Sequence, residues 1–208
     1  MSINKLTSSI NYRYHEFLFT VISVLELMCL RFIGVRCGKG VAFRGWCHIY
    51  LKPKSQIQIG NNCRFNSNRY TNHIGLNHPC AISTEEEGAI LTIGNDCGFS
   101  SVSVNCFESI TIGNNVRVGA NCVIADSDFH LNDPRVGGAK PIVICDNVWL
   151  GYGVIVMKGV TIGKNSVIGM NSVVTHDIPE NVVAAGNPCK VIKEFSEDVV
   201  KELEQLAL

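Results

Sequence analysis

Aliphatic residues recur six positions apart along most of this chain. Ile144, Leu150, Val156, Ile162, Ile168 and Val174 hold that step without a break. An earlier run gives Ile112, Val118 and Ile124, and isolated copies start at Ile59 and Ile93. A period of six is neither the 3.6-residue period of a helix nor the alternation of an ordinary strand. Glycine often follows, as at Gly60, Gly94, Gly113, Gly119, Gly151, Gly163 and Gly169. The fourth position of each unit reads Asn62, Asp96, Asn115, Asn121, Asn147, Gly153, Gly159, Asn165, Asn171 and Asp177. All are residue types that tolerate a left-handed backbone, so a corner is expected every six residues. The fifth position is small or β-branched: Cys63, Cys97, Val116, Cys122, Val148, Val154, Val160, Ser166 and Ser172. It should point inward with the aliphatic first position. Short flat strands joined by regular corners predict a mainly β fold, a parallel β-solenoid over about residues 35 to 190. Three faces make a triangular coil of about eighteen residues, and stacked coils pair their backbones.

The rest of the composition fits one domain. The chain has 208 residues, enough for a single sizeable core. Eighteen Lys and Arg balance eighteen Asp and Glu, so a basic footprint for nucleic acid is not supported. A hydrophobic fraction of 46% excludes a disordered chain. Ten cysteines suggest disulfides only in a small secreted domain, and none here forms a Cys-x-x-Cys pair. Cys63, Cys97 and Cys122 fill the small inward slot, where a thiol acts as an apolar side chain, and none of the ten looks like a nucleophile. Reduced thiols fit a cytoplasmic chain.

Before the repeat, Leu18, Val21, Ile22, Leu25, Met28, Cys29 and Phe32 recur at helical spacing, with Glu16, Thr20 and Ser23 opposite. This predicts an amphipathic helix over about residues 12 to 33. The uncharged run Phe17 to Leu25 is too short to span a bilayer, and no signal-peptide cleavage site follows. Two uses are open: a cap on the body of the protein, or peripheral contact through residues 12–33 with the inner face of a membrane. After the repeat, Ser196 is a candidate N-cap for a short helix with Val199, Leu203 and Leu206 on one face. The organisation expected is an N-terminal helical segment (1–34), a solenoid domain (35–195) and a C-terminal helix (196–208). Insertions are expected at about 64–90 and 125–143.

The insertions are where a repeat fold carries function. The second contains Asp126-Ser127-Asp128-Phe129-His130. An imidazole near neutrality can take a proton from an alcohol, provided a carboxylate or a carbonyl holds its other nitrogen. Asp126, Asp128 or a main-chain oxygen could do so. The first insertion holds His73 and His78, but His15, His48 and His176 offer no third ligand at a matching position, so no metal is expected.

The six-residue repeat resembles the hexapeptide-repeat transferases. That resemblance implies a left-handed parallel β-helix, a hand that general crossover rules would not have chosen. Asp126 to Asp133, then Asp146-Asn147-Val148-Trp149-Leu150-Gly151, then Val183 to Lys193, are similar to the sugar O-acetyltransferase branch. It includes maltose, galactoside and surface-polysaccharide acetyltransferases. Residues 30–41 are similar to the helix-to-coil junction of its polysaccharide-modifying members. The resemblance implies an acetyl-CoA-dependent O-acetyltransferase acting on a sugar acceptor, as a homotrimer with sites between subunits. His130 would be the general base. Asn105, before Cys106, would lie near the acceptor, and Asp128 completes the candidate catalytic set. Trp149, Gly151, Tyr152, Met170, Thr175, Lys190 and Lys193 would contact coenzyme A. Relatives often carry a small residue where Met170 stands, and arginine at the two lysines, so bidentate phosphate contacts are lost here. An amine, serine or antibiotic acceptor, a carbonic-anhydrase-like zinc enzyme, and a non-catalytic scaffold are the alternatives.

Overall fold

A computed structural model describes residues 3–130 and 133–206. A helix, α1 (Ile3–Ile33), leads into a left-handed parallel β-helix with three faces. The first face stacks Arg36–Cys37, Gln56–Ile59, Ile90–Ile93, Ser109–Ile112, Ile142–Ile144 and Thr161–Ile162. The second stacks Ala42–Arg44, Arg64–Asn66, Gly98–Ser100, Arg117–Val118, Trp149–Leu150, Val167–Ile168 and Val182–Ala185. The third stacks His48–Leu51, Ala81–Thr84, Ser103–Cys106, Val123–Ala125, Ile155–Val156 and Val173–Val174. Strand order within each face follows the chain, so position along the sequence is height along the axis. A last strand, Lys190–Glu194, runs antiparallel on the end of the second face, and a helix, α2 (Glu197–Leu206), follows.

The repeat positions do what their chemistry predicts. Ile59, Ile93, Ile112, Ile144 and Ile162 stand in one register, each buried. On the second face Phe43, Phe65 and Phe99 stack ring on ring, with centroids 5.1 and 4.9 Å apart. Nine of the ten fourth positions have positive φ, from 53° at Asn115 to 77° at Gly159. Asp177 is the exception: its carboxylate instead accepts the Thr161 N–H at 2.7 Å. Along the corner between first and second faces the side chains form two amide ladders. One runs Asn61, Asn95, Asn114, Asp146, and the other links Asn115, Asn147, Asn165 and Asn181. Asparagine therefore supplies both the backbone conformation and a satisfied polar edge. The fifth positions are buried, and the Cys63, Cys97 and Cys122 thiols donate to the carbonyls of Gly94, Gly113 and Gly151. Burial pushes the Cys122 thiol up to about 11.

Three expectations change in detail. α1 begins at Ile3 rather than near residue 12. The first insertion shrinks to residues 67–80, because Arg64–Asn66 and Ala81–Thr84 pair in register with neighbouring coils. The facing of α1 is the larger change. It lies across the first strands of the coil, but turns its polar side inward. Glu16 pairs with Arg44 at 3.0 Å, Ser23 Oγ accepts the Phe43 N–H, and Glu26 Oε1 accepts the Cys47 N–H. Phe19 and Leu30 fill the spaces between, while Val21, Leu25, Met28 and Phe32 face outward. The unpaired N–H groups at the open end of the coil decide this: they need acceptors, and only the polar side of α1 provides them. On α2, Leu206 lies outside the residues whose side chains are described.

Candidate active site

The chain leaves the coil at Ala125 and returns at Ile142, at the corner between third and first faces. Asp126 fixes the exit. Its fully buried carboxylate accepts the N–H groups of Phe107, Glu108 and Ser109 at 2.7, 2.8 and 2.8 Å. Its carbonyl accepts the Lys140 N–H at 2.8 Å, closing the mouth of the loop. From the coil above, Lys158 Nζ reaches Asp128 at 2.5 Å and the Gly137 carbonyl at 2.9 Å. The loop is thus held by the coil below through Asp126 and by the coil above through Lys158.

His130 sits at the exposed end of this clamp. The preceding residue, Phe129, has φ of 65°, a region that costs a bulky side chain about 1–2 kcal/mol. Its ring meets Phe107 edge-on at 5.3 Å. The His130 N–H bonds the Asp128 carbonyl at 2.8 Å, and the His130 carbonyl accepts the Asp133 N–H at 2.9 Å. A cleft of about 800 Å³ opens here, lined by Glu86, Phe107, Phe129, His130, Asp133 and Arg135. Arg135 is itself held by Asp133, which lies below the usual carboxylate range because of that guanidinium.

Neither candidate carboxylate reaches the His130 ring. Asp126 is spent on three backbone donors and Asp128 on Lys158, and among the described residues no hydrogen bond fixes the imidazole. Asn105 lies beside Ala125 in the register of the third face, at the root of the loop. Its Nδ2 donates to Ser83 Oγ at 2.9 Å. Sequence reasoning passed over Phe107, Phe129, Lys158, Glu86 and Arg135. Lys158 occupies an ordinary repeat position, and nothing local marks its partner thirty residues away.

The residues expected to hold coenzyme A are divided. Gly151, Tyr152 and Met170 follow one another along the corner between second and third faces. A side chain at Gly151 would meet the Met170 backbone nitrogen at 2.8 Å, so only glycine fits there. Thr175 lies on the His130 side, at the corner between third and first faces, bonded to the His176 ring at 2.9 Å. Trp149 lies on the second face, 54% exposed, at a groove of about 390 Å³ shared with Arg117, Val167, Phe195 and Leu203. Lys190 and Lys193 are exposed on the last strand. Within one chain His130 and Trp149 therefore stand on different sides. His73 is exposed, the His78 Nδ1 lies 2.7 Å from the Pro79 carbonyl, and among the described residues no group of three His, Cys, Asp or Glu side chains could hold a metal ion.

Comparison with known proteins bears on this geometry. The bacterial transferase hexapeptide (six repeats) profile matches residues 141–176, and the hexapeptide repeat of succinyl-transferase matches residues 90–125. A galactoside O-acetyltransferase of Lactococcus lactis subsp. lactis is 40% identical over 156 residues, which cover 73% of this chain and 69% of that protein. The chain belongs to the hexapeptide-repeat transferases. Another relative, the polysialic acid O-acetyltransferase of Escherichia coli O1:K1 / APEC, is 43% identical over 111 residues, covering 51% of this chain and 35% of that protein. The chain spans about half the length of the two yeast relatives it matches, 49% and 47%. Among solved structures, AntD, an N-acyltransferase from Bacillus cereus in complex with a dTDP-amino sugar and coenzyme A, superposes with a TM-score of 0.65 at 19% identity. The match covers 87% of this chain and 95% of that one, a likeness of fold.

Proposed function

We propose that this protein transfers an acetyl group from acetyl-CoA to a sugar hydroxyl, in the cytoplasm, during assembly of a surface polysaccharide. The observation that carries the reading is the placement of His130: a doubly clamped loop presents its imidazole to an 800 Å³ cleft with an aromatic wall and polar groups at its rim. Such a wall suits the apolar face of a sugar ring, and the Glu86 carboxylate suits its hydroxyls. The relatives named as galactoside and polysialic acid O-acetyltransferases support a sugar acceptor.

In this mechanism His130 takes the proton from the acceptor hydroxyl as its oxygen attacks the thioester carbonyl. The acetyl C–S bond breaks and coenzyme A leaves as the thiolate, with no acyl-enzyme. Asn105 and backbone N–H groups steady the charge that develops on the carbonyl oxygen. Asp128 positions the loop through Lys158, and its carbonyl holds the His130 backbone. The donor arm runs past Trp149, Gly151, Tyr152, Met170 and Thr175, with Lys190 and Lys193 toward its phosphates.

The division of these residues over two corners favours sites between subunits of a homotrimer. Between the two corners lies the third face. Its outward column reads His48, Ala81, Ser103, Val123, Ile155 and Val173, small or apolar from Ala81 onward, with Ile155 36% exposed. Packing that face against a second copy would bring the His130 edge of one subunit to the Gly151–Met170 edge of the next.

The test follows thiol release from acetyl-CoA with nucleotide- and lipid-linked sugars as acceptors. His130→Ala should lower turnover by about 10²-fold or more. Near-normal turnover in that variant, with its assembly intact, would sink the assignment.

A further inference from the structure

We infer that the α1 end of the molecule docks onto an anionic lipid bilayer. With its polar side turned into the coil, α1 leaves an apolar stripe in solvent. Phe17, Val21, Val24, Leu25, Met28 and Phe32 follow one another at helical spacing, and Phe17, Met28 and Phe32 are 70%, 62% and 92% exposed. At 1.5 Å per residue this stripe is about 22 Å long. No helix among the described residues is long and apolar enough to cross a membrane. A helix with one apolar stripe and basic flanks lies in the interface instead.

Charge selects the occupant. The zero net charge of the chain conceals a separation along its axis. Residues 1–84 carry ten Lys and Arg against two Glu, a net of +8. Residues 85–208 carry eight against sixteen acidic residues, a net of −8. Because strand order follows the chain, the first segment is α1 with the coils next to it, and the second is the far end. The two glutamates of the basic end are Glu16, paired with Arg44, and Glu26, buried under α1. On α1 stand Arg13 and Arg31, and on the first coil Arg36 and Lys39, all exposed and without an ion pair among the described residues. Apolar side chains for the acyl boundary and basic ones for headgroups thus share one end of the molecule. A second copy meeting the stripe end to end would set one +8 region against another. Nucleic acid would leave the phenylalanines in water.

The experiment uses the full chain and vesicle flotation, with no call on acetyl transfer. Vesicles of phosphatidylcholine with about 30% phosphatidylglycerol should carry the protein, and pure phosphatidylcholine should bind at least about 10-fold more weakly. Raising salt to about 0.5 M should weaken binding similarly, since headgroup attraction falls within a Debye length. A Phe17→Ser, Phe32→Ser variant should lose about 10-fold or more while keeping its melting temperature, because both side chains are already in solvent. Arg31→Glu with Arg36→Glu should lose binding to the anionic vesicles alone. Failure of the wild-type chain to float, or unchanged flotation of the phenylalanine variant, overturns the proposal. A drop in assembly mass in that variant, without lipid binding by the wild type, assigns the stripe to a second copy and also overturns it.

Discussion

At Glu26 two requirements conflict. The open end of the coil needs an acceptor for the Cys47 N–H, and Glu26 Oε1 supplies it at 2.9 Å. The carboxylate is then buried, and its Oε2 has no partner among the described residues. Burial pushes the carboxyl from 4.5 up to about 7, partly opposed by the Cys47 hydrogen bonds. The sign follows from proton binding: between about pH 4.5 and 7 the folded chain keeps a proton that the unfolded chain has lost, so stability falls as pH rises through that window. The full span corresponds to about 3 kcal/mol at most. Urea midpoints should therefore decline from pH 5 to pH 8, and Glu26→Gln should flatten that decline and raise the midpoint at pH 8. An unchanged slope in Glu26→Gln would contradict this account. Around His130 the same reasoning favours geometry over charge: Asp126 is held by three N–H groups, so its replacement would free the whole exit of the loop rather than retune a base.

Among the strands, the Phe43–Phe65–Phe99 stack places three fully buried rings in the core, and Phe65 has a ring on each side. Phe65→Ala removes both contacts and leaves a cavity, a loss of about 3–5 kcal/mol. The melting temperature should fall by about 10 °C, measured by circular dichroism. A fall of only about 2 °C would mean that the coil closes around the gap. Much of this architecture was legible beforehand, and the reason is steric. Few residue types accept a left-handed backbone, so Asn62, Asn115 or Asn165 announce a corner wherever they recur in step with an aliphatic. Helix facing has no such signature. Periodicity gave α1 two sides, but which side meets the coil depends on unpaired N–H groups contributed by residues 43 and 47. Likewise Asp128 and His130 looked like partners because they are neighbours in sequence, whereas Lys158, from the next coil, takes the carboxylate. Local pattern reports conformation, and pairing across coils reports only after folding.

For the whole molecule, the apolar column on the third face makes assembly testable apart from catalysis. Analytical ultracentrifugation should give three times the 22.8 kDa chain mass. A glutamate at Ile155 would bury an unpaired charge in that interface, so Ile155→Glu should sediment as a monomer and lose acetyl transfer together with assembly. A monomeric wild type would place the whole site within one chain and contradict the proposed arrangement. The two ends of the coil have a different consequence. Stacked coils of a parallel solenoid leave open backbone at top and bottom, and identical open ends can template one another into fibres. Here the second face begins under α1, where Ser23 takes the Phe43 N–H, and it ends on Lys190–Glu194, which runs against the grain of every strand before it. A reversed strand offers the wrong polarity to an incoming parallel coil. The second face therefore carries a terminator at each end, and its strand count is set at folding.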